Sequence, residues 1–181
     1  LEATDCLLQG NHARGLFVNG SSATLQGIRV LDTRRNTVTT AAAGISIQSE
    51  STVTATNLDI QDTDGPALYV VAEALLNCTD CTLTDNAFAG AVVRVGGELT
   101  LEDSLIEGTL SDSNAGAGLG VFVDDTYAES FGPASLWLRD STVRDNEMGA
   151  LYIKGAGTYR VAGNDLSGGS GRDVAPGMWM H

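Results

Sequence analysis

Lysine is nearly missing from this chain. Lys154 stands alone, and Lys and Arg together number 10 against 23 Asp and Glu, a formal net charge of −13. That balance excludes a nucleic-acid partner, because neutralising phosphates takes clustered cations. Long apolar runs are absent too. No stretch of the 181 residues approaches the roughly 20 needed for a bilayer-spanning helix, and no signal-peptide pattern is present, so membrane insertion is not expected. The 3 prolines and 6% aromatic content are low, whereas 22 glycines and abundant Thr, Ser, Asn and Asp suit short strands joined by tight turns.

Cysteine is also sparse, at Cys6, Cys78 and Cys81. A zinc site would need a second pair of ligands, and His12 and His181 supply none at a recognised spacing. Cys78 and Cys81 are close enough to pair across a turn in an extracellular chain, while Cys6 has no partner. The expectation is that all three serve as small buried apolar residues.

What the chain has is repetition. Leu76 to Asn86 reads L-N-C-T-D-C-T-L-T-D-N, Leu1 to Asn11 reads L-E-A-T-D-C-L-L-Q-G-N, and Leu136 to Asn146 reads L-W-L-R-D-S-T-V-R-D-N. Units start at Leu1, Ala23, Val53, Leu76, Leu99, Leu136 and Tyr159, so the basic period is about 23 residues with added length in the second and fifth units.

Each column of the repeat has a physical meaning. Columns one and three are apolar and alternate with polar residues, as on one face of a strand. Column eight, from Leu8 through Leu83 to Leu166, is apolar in every unit and marks a second strand. Column five holds Asp5, Gly27, Asn57, Asp80, Asp103, Asp140 and Gly163, residues that share a tolerance of bends. Column eleven holds Asn, Thr or Gly, whose side chains in a stack can bond the turn or the next unit. A third strand carries inward pairs such as Leu68 with Val70 and Val121 with Val123. Three short strands per turn, stacked at about 4.8 Å, predict an all-β right-handed parallel β-helix of about seven rungs, one domain over 1–181. A β-sandwich would give no common offset across seven units, and a leucine-rich repeat would need a helical half.

The runs from Asp80 (D-C-T-L-T-D-N) and Asp140 (D-S-T-V-R-D-N, then G-A-L-Y-I) resemble the right-handed β-helix repeats of the pectate-lyase-like superfamily, over nearly the whole chain. The resemblance implies an extracellular or cell-surface protein and polysaccharide as a candidate ligand. It leaves activity open, since that superfamily includes lyases, hydrolases, epimerases, tailspikes and adhesins. Leu1 already lies inside a repeat, so the chain reads as part of something longer, with neighbouring domains or chains expected at open solenoid ends.

Candidate sites follow from the outward faces. The third strand presents Tyr69, Phe122 and Tyr152 outward, and the first presents Trp137, aromatics suited to stacking on sugar rings or on a protein partner. The alternative is that the fifth-unit loop, with Tyr127 and Phe131, folds over that stripe. Insertions after Thr33 and around the fifth unit should flank units three and four. Asp124, Asp125 and Glu129 form the best local candidate for Ca²⁺. Stacked Asp80, Asp103 and Asp140, or Asp32, Asp62 and Asp85, could also hold a cation, although an Asp column that alternates with Gly and Asn selects turn-formers. Arg94, Arg139, Arg144 and Arg160 are the candidate bases or anion clamps for a lyase of the resembling superfamily. The leading expectation is a non-enzymatic, rigid scaffold with a binding face, and the alternative is a polysaccharide lyase or hydrolase.

Overall fold

A computed structural model describes residues 1–36, 42–112, 116–126, 128–155, 157–167 and 178–180. The described residues wind through three parallel sheets of seven strands each, every strand but the two at each sheet's edges pairing with its counterpart one coil earlier and one later. This is the β-helix of seven rungs that the repeat predicts. The register follows the columns: Val53 pairs with Leu76, Leu76 with Leu99, and Leu99 with Leu136 in the first sheet, and Ile60, Leu83, Ile106 and Val143 follow one another in the second. The third sheet gains a strand the repeat did not reveal, Met178–Met180 beside Gly149–Lys154.

Alternation places the core. In Thr52–Thr56 the three threonines are exposed while Val53 and Ala55 are buried, and Leu25, Val30, Ile60, Leu83, Val121 and Leu151 are completely enclosed. Each fully buried side chain of this size contributes about 1.5–3 kcal/mol. The first rung is looser: Ala3, Leu8 and Leu16 are only partly buried, and Leu1 and Leu7 are exposed.

The corners are made by single residues in the left-handed region. Asp5, Asn57, Asp80, Asp103 and Asp140 have φ between 49° and 55°, and Gly27 and Gly163 fill the same column. Such a corner turns the backbone out of the ladder, and side chains of the next rung take over the bonding. The Cys81 amide donates to Ser104 Oγ at 3.1 Å, the Ser104 amide to Ser141 Oγ at 3.1 Å, and the Ser141 amide to Asn164 Oδ1 at 2.9 Å. At column eleven the Thr63 amide donates to Asn86 Oδ1 at 3.2 Å, and Asn86 Nδ2 donates back to the Ile60 carbonyl at 3.1 Å. Asn146 repeats this for Thr109 and Ile106.

The cysteine expectation is corrected. Cys78 and Cys81 form a disulfide across the Asp80 corner, with Cα atoms 6.2 Å apart, because the bend brings the end of one strand back toward the start of the next. Cys6 sits in the same column as Cys81 but on the open first rung, and there it is exposed and free. No helix among the described residues is long and apolar enough to cross a membrane.

Candidate functional site

The two insertions meet. Arg35, where the second-rung insertion begins, places its guanidinium on Asp112 in the fifth-rung insertion, 77 residues later. It also donates to the Asp64 carbonyl at 2.6 Å, and its amide donates to Asp64 Oδ2 at 2.9 Å. Asp112 is held in place by Gly116, with which its amide and carbonyl both pair. Beneath this bridge, on the outer face of the third sheet, lies a groove of about 360 Å³. Tyr69 and Ser46 line its base, Phe88 and Pro66 its apolar wall, and Arg14, Arg35, Asp64 and Asp112 its charged edge.

Among these, the Arg14 guanidinium lies 4.7 Å over the Phe17 ring and has no carboxylate partner among the described residues. Arg34, just outside, bridges Asp32, Asp62 (2.7 Å) and Asp64 (3.1 Å). Those contacts, the Asp62 hydrogen bond first, raise its pKa further above the ordinary arginine value. The Asp32 and Asp62 end of the tenth-column row is therefore bridged by a guanidinium. Asp80, Asp103 and Asp140 are exposed corner residues with positive φ, the role expected of turn-formers.

The aromatic stripe is divided. Phe122 stacks on Tyr152 with centroids 5.3 Å apart and meets the edge of Phe88 at 5.6 Å. Val92, between Tyr69 and Phe122 in the register, is buried although it points outward, as is Ser46. Phe122 and Tyr152 thus support each other, Tyr69 lines the groove, and Trp137 stands apart on the first sheet. Phe131, expected as a cover, is exposed at the end of the short helix Ala128–Phe131, and Tyr127 falls outside the described residues.

Asp124, Asp125 and Glu129 are engaged differently from one another. Burial by itself would push the Asp124 carboxyl up, but hydrogen bonds from Thr126 and the charges of Arg94 and Lys154 outweigh it and hold the group below its ordinary range. Arg94 contacts Asp124 at 2.9 Å. Asp125 Oδ1 accepts from the Ala134 amide at 2.6 Å, and Glu129 is exposed. No group of three or more His, Cys, Asp or Glu side chains among the described residues has metal-binding geometry.

The candidate arginines pair with the neighbouring rung: Arg94 with Asp124, Arg139 with Glu102, Arg144 with Glu107 at 2.9 Å. Arg160 lies over Trp137. The Glu102 carboxylate raises the pKa of Arg139, so this guanidinium holds its proton more tightly and is a poorer base.

The repeat columns locate Tyr69 but not Arg14, at the start of the strand Arg14–Asn19, nor Arg35, Asp64, Phe88 or Asp112, which sit at corners or in insertions. The one available signal was opposite charge in the two insertions, R-R in one and S-D-S in the other.

The three stacked sheets and the ladder of corner side chains define a solenoid of the right-handed β-helix class. Residues 1–129 match the family model described as right handed beta helix region, and the chain belongs to that family. No curated protein matches it, and no solved structure does.

Proposed function

We propose that the chain is a non-enzymatic β-helix scaffold of a secreted or cell-surface protein, which holds a saccharide in the groove under the Arg35 bridge. The observation that carries this reading is the pairing of an aromatic base, Tyr69 beside Phe88, with a polar edge of Arg14, Asp64 and Asp112. A sugar presents a C–H face to aromatic rings and hydroxyls to charged and amide groups, and such a cleft offers both. The Cys78–Cys81 disulfide supports an oxidising compartment. A scaffold suits the rest of the molecule, in which cross-rung ion pairs and side-chain ladders rigidify the coil.

The same groove favours one second reading, cleavage of a polysaccharide, because it brings two carboxylates and two arginines together. Against it, Asp64 and Asp112 already accept hydrogen bonds from Arg34 and Arg35, so both carboxylates are engaged within the fold.

The test is incubation with neutral and acidic polysaccharides, with and without Ca²⁺, following retention and new chain ends. Retention without cleavage, weakened in Tyr69→Ala, is expected. New chain ends that vanish in Asp64→Asn or Asp112→Asn would replace the scaffold with an enzyme, and no retention at all would remove the saccharide from the proposal.

A further inference from the structure

The first sheet carries a second feature that the groove does not use. Its outward row runs through Thr54, Asn77, Thr100, Trp137 and Arg160, paired rung to rung. In a row otherwise filled by polar residues, Trp137 leaves 46% of its surface exposed. Arg160 lies 4.6 Å over one face of the indole. Beside the ring is a depression of about 350 Å³, to which Asn77, Glu98, Thr100 and Ser135 contribute and Arg160 does not. The depression lies mostly on the side of Thr100 and Asn77, with Thr158 at its far edge, and Arg160 braces the indole from the next rung.

We infer that this depression is a binding site for a neutral saccharide, with Trp137 as its stacking platform. A guanidinium held against one face of an indole fixes the ring's orientation, so little conformational entropy is lost when a ligand stacks on the other. The indole face attracts the C–H face of a pyranose. Asn77 and Thr100, whose side chains make no hydrogen bond among the described residues, supply a donor and acceptors for ring hydroxyls. Glu98 is the one ionisable side chain lining the depression, and it accepts from hydroxyls and repels carboxylated sugars. The selection for neutral sugars follows from Glu98 and from the net charge of −13.

This site lies on the first sheet and the groove on the third, so they act independently, and one molecule can hold two glycan chains or two parts of one. The inference stands without the groove reading.

The experiment uses gel affinity electrophoresis in soluble mixed-linkage β-glucan, galactomannan and neutral arabinoxylan, together with indole fluorescence in a Trp179→Phe background so that the signal comes from Trp137. At least one polymer is expected to retard the chain and to shift Trp137 emission. Trp137→Ala should weaken that retardation about tenfold, the loss of one stacked ring, and Trp137→Phe should retain part of it. Tyr69→Ala should leave the fluorescence response intact, which separates this site from the groove. The assignment is overturned if none of the polymers shifts the emission, or if folded Trp137→Ala, checked by circular dichroism, is retarded like the parent. Should Trp137→Ala not fold, the emission shift and Trp137→Phe decide alone.

Discussion

Arg35 and Asp112 join the second-rung and fifth-rung insertions of the β-helix by an ion pair that closes one side of the third-sheet groove. Asp112 is buried and Arg35 largely so, which separates this pair from the surface ladders: Arg29 with Asp59, for instance, leaves its arginine side chain 55% exposed. Exposed pairs contribute about 0–1 kcal/mol, whereas removing the partner of a buried charge costs more.

Arg35→Ala should therefore lower stability by about 1–3 kcal/mol, against less than about 1 kcal/mol for Arg29→Ala, as read by urea unfolding. Limited proteolysis should cut the fifth-rung insertion faster in Arg35→Ala. Equal losses in both variants would show that the bridge holds nothing in place.

Asn86 reaches back to the preceding rung, accepting from the Thr63 amide and donating to the Ile60 carbonyl, and donates to the Thr84 carbonyl in its own. Asn86→Ala leaves the buried Thr63 amide without its acceptor and removes one donor from the Ile60 carbonyl, and should cost about 1–3 kcal/mol. Asn86→Asp keeps the acceptor only and should fall between. Hydrogen exchange at Thr63 reports the event directly, and unchanged protection there would refute the ladder's role.

Leu83 is completely buried in the second sheet, while Thr56 faces solvent. Leu83→Asp should abolish cooperative folding, because a charge in a core this narrow has no partner. Thr56→Ser should change stability by less than about 0.5 kcal/mol. Comparable melting curves for Leu83→Asp and the parent would overturn the register.

Asp124 gives a signed pH dependence. Its carboxyl is held below the ordinary value of 3.8 in the folded chain, so the folded state binds fewer protons there than the unfolded one. The stabilisation is present above about pH 4 and is lost as pH falls through the lower folded-state value. The gap in melting temperature between the parent and Asp124→Asn should be constant near neutrality and shrink below about pH 4. A gap that widens in acid would reverse the sign and refute the arrangement.

The fold was legible because a solenoid writes its geometry into the repeat: inward columns such as Leu83 and Ile106 must be apolar in every rung, and a left-handed corner admits Asp, Asn or Gly, as at Asp80 and Gly27. These are local demands, made again in each coil. The Asn86 bonds were legible in kind for the same reason. The disulfide was legible only as one of two alternatives, since three-residue spacing permits a bridge and the Asp80 bend makes it.

The sequence by itself determined the coil, its register and its outward rows. Only the tertiary structure decided what those rows present to solvent. Trp137 is braced by Arg160 in the next rung, a neighbour implied by the register. The groove is different in kind: Arg35, Asp64, Phe88 and Asp112 occupy a second-rung insertion, two corners and a fifth-rung insertion. No period relates these positions, because insertions do not repeat, and their meeting depends on how two loops cross the surface of a coil already built.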